Sequence, residues 1–255
     1  METFLAAVLP ASLDPWAAGG LLAISFLASL LTATMGLGGG LLMLAVLAGA
    51  LPPAALIPVH GVVQLGSNLG RAVLFRRHTR LGILAWFAVG AVIGISVGAG
   101  IAVSMPRAAL LVAVAAFILV STWAPRLGSR PVPERGFVAV GAVTAFVSMF
   151  VGATGPFLAP FVAPERLGDR HATIGTFAAC MSLKHGLKVA AFAVTGFVYL
   201  PWLPFAAAMI ATGIVGTLVG RKVVLRLPER TFRLVFRLLL TALALRILWQ
   251  AYMAS

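Results

Sequence analysis

Long apolar runs separated by short polar or Pro/Gly breaks cover almost the whole chain. Each half has the same order: an apolar segment, a Gly-rich break, a short apolar segment and three long ones. The segments are residues 17–35, 41–51, 54–75, 83–103 and 108–123, then 137–151, 157–163, 174–195, 202–219 and 232–252. A run of about 20 apolar residues can cross a hydrocarbon core of about 30 Å as a helix. The pattern therefore predicts an all-α polytopic membrane protein.

The composition agrees with this prediction. Apolar residues make up 61% of the chain and charged residues 10%, whereas soluble domains carry roughly 25% charged residues. This difference excludes a soluble globular enzyme. The single cysteine, Cys180, excludes a disulfide, a thiol pair and a cysteine metal cluster. We expect neither a metal site nor a cofactor.

Matched residues in the two halves predict an internal repeat. At offsets of 116, 117 and 122, the matches are Gly36, Gly39 and Leu42 with Gly152, Gly155 and Leu158; Arg71 and Phe75 with Lys188 and Phe192; and Gly94, Gly98 and Pro106 with Gly216, Gly220 and Pro228. The Gly94/Gly98 and Gly216/Gly220 pairs have the GxxxG spacing that permits close helix contact, inside the chain or in a possible homodimer. We predict a first membrane repeat at residues 1–130 and a second at 131–255.

The basic residues predict that the two repeats are inverted in the membrane. Arg76, Arg77 and Arg80 follow the third segment of the first half, but Arg221 and Lys222 follow the fourth segment of the second. Because basic turns stay in the cytoplasm, the halves have opposite orientations and both termini are non-cytoplasmic. Inversion requires an odd number of crossings in each half. Each Gly-tipped pair of segments should therefore form a hairpin beside three spanning helices, and the sequence leaves open whether that hairpin crosses fully.

The net charge of +13 arises from 19 Lys and Arg against six Asp and Glu. These basic residues cluster in short turns beside apolar segments, where they orient helices and contact anionic headgroups. We therefore expect membrane lipids as partners, and no nucleic acid.

The two Gly-rich hairpin tips, residues 36–40 and 152–156, are candidate substrate sites. Irregular backbone at membrane depth must be buried in protein or line a wet cavity, and the N–H groups at the start of a helix attract anions. Interrupted helices form substrate sites in inverted-repeat transporters. Alternatively, the glycines only permit close helix packing. The candidate residues are Gly36, Gly38, Gly39, Gly40, Gly152, Thr154 and Gly155.

The third segment of each half carries a polar stripe that supplies further candidates. Gln64, Asn68 and Arg71 share one helical face, and Lys184, His185 and Lys188 lie in the matching region of the second half. A cation within a span costs roughly 2.5–3.5 kcal/mol. No Asp or Glu lies inside any predicted span, so a bound anion would balance these cations. Two alternatives are that Arg71 extends to the cytoplasmic surface and that His185 is a proton relay or a packing residue.

The chain resembles the sulfite exporter TauE/SafE family of membrane permeases. The resemblance rests on the motif at residues 35–42, MGLGGGLL, and the motif at residues 151–158, VGATGPFL. The second motif carries Ala153 and Thr154 where the family pattern is richer in glycine. The resemblance implies movement of small sulfur-containing anions, such as sulfite or organosulfonates, across a bacterial inner membrane.

Three functional hypotheses follow. The first is a secondary transporter of a small oxyanion working by alternating access, coupled through His185, a proton on the substrate or the membrane potential. The second is a membrane scaffold or assembly protein without a transported substrate. The third, an intramembrane enzyme, requires a nucleophile with a base, a metal cluster or an acid pair, and the predicted spans contain no such constellation. We therefore expect a transporter with a small anionic substrate.

Overall fold

The computed structural model describes residues 10, 13–35, 38–124, 132–220 and 229–253, and within these ranges it is helical with no strand. The helices are α1 (Pro15–Met35), α2 (Gly39–Ala50), α3 (Pro53–Leu74), α4 (Leu81–Ser104), α5 (Arg107–Trp123), α6 (Phe137–Val151), α7 (Gly155–Leu158), α8 (Pro164–Leu167), α9 (Arg170–Val194), α10 (Leu203–Gly220) and α11 (Glu229–Tyr252). These bounds follow the apolar segments predicted from the sequence. The second short segment differs, because only one α-helical turn forms there before a 3-10 turn at Ala159–Phe161.

Six helical stretches in the described ranges are long and apolar enough to cross a membrane, which confirms the prediction of an all-α polytopic protein. They are Pro15–Ala33, Leu81–Ser104, Glu134–Val151, Arg170–Val194, Leu200–Gly220 and Leu234–Tyr252. Helix α2 has 12 residues and α5 has 17, so both are shorter. Helix α3 has 22 residues, but its polar stripe makes it less apolar than the six spans.

The glycines with GxxxG spacing pack against the backbone of a neighbouring helix, as predicted. On α4, a Cβ at Gly90 would overlap the carbonyl oxygen of Val138 on α6, and one at Gly94 would overlap that of Ala142. Farther along both helices, a Cβ at Gly98 would lie 2.9 Å from Met149. Residues later in α4 contact residues later in α6, so the two helices run parallel. Glycine lets the two backbones approach this closely.

An equivalent pair forms between α10 and α1. A Cβ at Gly216 would overlap the carbonyl oxygen of Phe26, and one at Gly220 would lie 2.7 Å from that of Leu30. These helices are also parallel. The helix formed by the fourth segment of each sequence half thus packs on the first helix of the other half.

The third helices of the two halves, α3 and α9, run antiparallel. A Cβ at Gly61 would lie 3.2 Å from Cε of Lys188, whereas at the other end a Cβ at Gly175 would lie 2.8 Å from the carbonyl oxygen of Phe75. The first half of α3 therefore contacts the second half of α9, and the residue after α3 contacts the first half of α9. This direction is what an inverted repeat predicts, although the repeat itself stays a prediction.

The chain forms two compact units, each drawn from both sequence halves. One comprises the described parts of Met1–His60, Pro106–Ala124 and Val198–Ser255, and the other those of Gly61–Met105 and Pro125–Phe197. The first unit contains α1, α2, α5, α10 and α11; the second contains most of α3 together with α4, α6, α7, α8 and α9. Compact units reflect contacts, whereas the predicted repeats at 1–130 and 131–255 reflect sequence matches, so the repeat boundaries also stay a prediction.

Candidate functional site

The second hairpin tip is built around a tight turn at Gly152. This residue ends α6 with φ 76° and ψ −57°, and the N–H of Ala153 donates to the carbonyl of Val151 over 2.8 Å. These features define a classic γ-turn, which is strained for residues with a Cβ. Glycine is needed here because of its positive φ.

Thr154 is held in place between this turn and α7. Its Oγ1 donates to the carbonyl of Thr144 on α6 over 3.0 Å, and its side chain is fully buried. A hydroxyl has one proton and two lone pairs. With its proton directed at Thr144, Thr154 presents its lone pairs to neighbouring donors.

Two lysines on α9 bond to this tip. Nζ of Lys184 donates to Oγ1 of Thr154 and contacts Sδ of Met181 at 3.4 Å. Nζ of Lys188 donates to the carbonyl of Gly152 over 3.1 Å. Lys184 and Lys188 are both 0% exposed, so two basic groups one helical turn apart are fully buried against one segment of irregular backbone.

Helix α3 covers the stem of Lys188. The close approach at Gly61 brings α3 within van der Waals distance of Cε of Lys188, and Val189 Cγ2 would lie 3.4 Å from a Cβ at Gly61. A side chain at position 61 would therefore push against the lysine. Glycine at this position keeps Lys188 directed toward the tip.

The polar partners of the two lysines in the described structure are neutral groups. The six acidic residues of the sequence are Glu2, Asp14, Glu134, Glu165, Asp169 and Glu229. Those in the described ranges lie immediately before a helix or within its first two residues. Buried charges are normally paired. An anion entering this site would supply the missing countercharge.

The short helix after the second tip contributes little to anion binding through its dipole. Helix α7 spans four residues, and aligned peptide dipoles add up only over longer helices. The predicted dipole site is therefore weak at this tip. The basic groups at this tip are the side chains of Lys184 and Lys188.

Helix α9 begins outside the predicted span with a well-formed cap. The carboxylate of Asp169 accepts hydrogen bonds from the backbone N–H groups of His171 over 3.1 Å and Ala172 over 3.0 Å. These bonds lower the pKa of the Asp169 carboxyl.

The two lysines lie in the second half of α9. Ten residues separate Lys184 from the end of the helix at Val194, or about 15 Å. Lys184 thus lies near the middle of α9, and Lys188 lies about one turn nearer its end.

The polar stripe on α3 forms a chain of hydrogen bonds. Nδ2 of Asn68 donates to the carbonyl of Gln64 over 2.7 Å, and Nη2 of Arg71 donates to Oδ1 of Asn68 over 3.1 Å. Nε of Arg71 also donates to the carbonyl of Ser67 over 3.3 Å. Arg71 therefore turns back along its own helix. This conformation disfavours the alternative in which it extends to the cytoplasmic surface.

The first hairpin tip is held by different groups. Gly38 has φ 107°, and the N–H of Gly39 donates to Oγ1 of Thr32 on α1 over 3.1 Å. A Cβ at Gly39 would overlap the carbonyl oxygen of Ala28, so this glycine serves close packing. Nε2 of His60 lies 3.1 Å from the carbonyl oxygen of Gly40. Gly36 lies outside the described residues.

The sequence analysis missed several residues that shape the two tips. At the second tip, Thr144 positions Thr154, and Gly61 positions Lys188. At the first tip, Thr32 accepts from the N–H of Gly39, and His60 contacts the first short helix. His60 occupies the α3 position that matches Phe177 on α9, and a Cβ at Gly155 would lie 3.3 Å from the ring of Phe177. The offset of 117 could have identified this pair. Of the other predicted candidates, His185 is fully buried on α9.

Comparison with known proteins gives one match. The family model of the sulfite exporter TauE/SafE matches residues 21–247. No curated protein and no solved structure matches the chain. The matched region includes both Gly-rich tips, α3 and the two lysines of α9. The family is one of membrane transporters and not of enzymes. Because the match extends over most of the 255 residues, the chain belongs to the sulfite exporter TauE/SafE family.

Proposed function

We propose that this protein is a secondary transporter that moves a small sulfur-containing oxyanion, such as sulfite or an organosulfonate, across a bacterial inner membrane by alternating access. Membership of the TauE/SafE family supports a multi-pass membrane transporter of sulfite-type anions. The observation that carries the finer proposal is the pair of buried lysines on the second tip. Both chain termini are proposed to be non-cytoplasmic.

The substrate is proposed to bind to the ammonium groups of Lys184 and Lys188. An ammonium has three donors. Among the described residues, Lys184 has two polar partners and Lys188 has one, so both retain donors for an oxyanion. Charge-assisted hydrogen bonds to an anion are about twice as strong as neutral ones. His185 and the Gln64–Asn68–Arg71 chain are proposed to contribute to the same pathway within this unit.

The two hairpin tips are proposed to respond to the bound anion. Lys184 and Lys188 on α9 now bond to Thr154 and Gly152, and an anion competes with these neutral groups for the same donors. Exchange of partners would loosen the tip from α9 and permit the change in access. We propose Gly36, Gly38 and Gly40 as the corresponding binding segment of the first half, with Gly39 as the residue that packs this segment against α1.

We propose the membrane potential as the driving force for export. Each negative charge that leaves a negative-inside cell gains about 2.3 kcal/mol per 100 mV. This source of energy needs no ion-binding carboxylate. It agrees with the position of the described acidic residues at helix starts.

The test is uptake of radiolabelled sulfite by proteoliposomes with an imposed potential and with sulfate as a competitor. Saturable, protein-dependent flux that responds to the potential is expected. Lys188→Met should reduce this flux by about tenfold or more, because one charge-assisted interaction is lost. The control Arg77→Met alters an exposed arginine in the turn after α3 and should retain flux. If folded protein transports neither sulfite nor organosulfonates, the scaffold hypothesis replaces transport.

A further inference from the structure

The second tip concentrates two basic side chains in a very small volume. Lys184 and Lys188 are four residues apart on α9, so they are neighbours on one helical face with about 5–6 Å between their Cβ atoms. Their partners, Thr154 and Gly152, are only two residues apart on the tip. The two ammonium groups can therefore reach different oxygens of one small anion.

We propose that this site selects a doubly charged oxyanion over a singly charged one of the same shape. This inference rests on the proposed transport function and specifies its substrate class. The charge balance supports it, because the described partners of both lysines are neutral. A dianion compensates both ammonium groups. A monoanion compensates only one of them, so it must leave one buried charge uncompensated or bind with one lysine deprotonated, and either state forgoes one charge-assisted interaction with the anion.

The number of lysines then sets the preferred charge of the substrate. With both present, binding favours two negative charges. Removing the charge of Lys184 while retaining most of its length leaves one ammonium, which a monoanion compensates fully. A dianion in that variant would carry an excess negative charge. The selectivity should therefore shift toward the monoanion.

Sulfite and methanesulfinate form a matched pair for this test. Both are pyramidal at sulfur, and methanesulfinate carries a methyl group where sulfite carries a third oxygen. At mildly alkaline pH sulfite is mainly the dianion and methanesulfinate the monoanion. Their KM values, measured as labelled uptake by the same proteoliposomes, compare a dianion with a monoanion of similar shape that offers one oxygen fewer. The Lys184 variants then separate the effect of charge from that of the oxygen.

In the wild-type protein, KM should be lower for sulfite than for methanesulfinate by about tenfold or more, the effect of one lost charge-assisted hydrogen bond. Lys184→Met should reduce this ratio by about tenfold or more. Lys184→Arg keeps the charge and should keep the preference for sulfite. The control Arg77→Met alters an exposed residue in the turn after α3 and should also keep this preference.

Equal KM values for the two anions in the wild-type protein would overturn the inference, and this measurement does not depend on the folding of any variant. An unchanged ratio in Lys184→Met would also overturn it. In both cases flux continues and the proposed transport function stands. Absence of saturable flux for both anions in folded wild-type protein would instead refute the transport function itself.

Discussion

Nζ of Lys184 donates a hydrogen bond to Oγ1 of Thr154, thirty residues earlier in the chain. Thr154 in turn directs its own proton to the carbonyl of Thr144. This chain joins α9 to the irregular segment between α6 and α7. It positions a buried amine at the Gly-rich tip, and the hydroxyl of Thr154 is the only side-chain oxygen among the described partners of the two lysines.

Replacing Thr154 should separate the role of its hydroxyl from that of its shape. Thr154→Val retains the shape but removes the acceptor for Lys184, and leaving a buried charged group without this partner costs about 1.5–3 kcal/mol. We expect sulfite flux to fall by about tenfold or more. Thr154→Ser restores the hydroxyl and should retain most of the flux. Equal flux in the Val and Ser variants would show that the hydroxyl is dispensable.

Replacing Gly152 should strain the tip. Its φ of 76° lies in a region that side chains disfavour, with a typical cost of about 1–3 kcal/mol. Gly152→Ala should lower the Tm in detergent and displace the carbonyl that accepts a hydrogen bond from Lys188. Gly168 also has a positive φ, of 70°, in the connection before α9. Gly168→Ala is thus a control that should lower Tm but retain flux per folded molecule.

Replacing Gly94 should disrupt the contact between α4 and α6. A Cβ at this position would overlap the backbone oxygen of Ala142, and backbone cannot move aside as a flexible side chain can. Gly94→Leu should therefore cost more than about 3 kcal/mol and prevent recovery of monodisperse protein. On the same helix, a Cβ at Gly100 has no neighbour within 4 Å. Gly100→Leu should fold normally and elute as a monodisperse peak in size-exclusion chromatography. Loss of both variants would contradict a specific requirement for glycine at position 94.

The cap at Asp169 predicts a pH dependence of stability. Hydrogen bonds from the backbone of His171 and Ala172 lower the pKa of this carboxyl in the folded state. Its contribution is therefore present above the usual aspartate pKa and is lost as the pH falls through and below it. Asp169→Ala should lower Tm at neutral pH, and its difference from the wild type should shrink on acidification. A difference that is constant with pH would contradict the cap.

Much of the helical architecture is predictable because apolar runs and their breaks dominate this sequence. The GxxxG contacts follow in the same way, since small residues at that spacing favour close packing. The second short segment was harder to predict. Residues 157–163 are mostly apolar, but Pro160 lacks a backbone donor and Pro164 follows closely, so only one α-helical turn forms before a 3-10 turn.

The details of the candidate site depended on contacts between distant residues. The sequence identified Lys184, Lys188 and Thr154 as separate candidates, but a hydrogen bond across thirty residues depends on how α9 packs beside the tip. The sequence also did not determine the role of Gly39, because a glycine at a hairpin tip can either bind a ligand or permit close packing. In the structure, a Cβ at Gly39 would overlap Ala28, and this overlap identifies Gly39 as a packing residue.

Equilibrium binding of radiolabelled sulfite to the purified protein tests the central claim most directly, because a fall in flux alone can also arise from a blocked conformational change. The wild-type protein and the control Arg77→Met should bind sulfite saturably with the same Kd. Lys188→Met should raise the Kd by about tenfold or more, through loss of a charge-assisted hydrogen bond. An unchanged Kd in folded Lys188→Met protein would contradict the assignment of the substrate site to the lysines at the second hairpin tip.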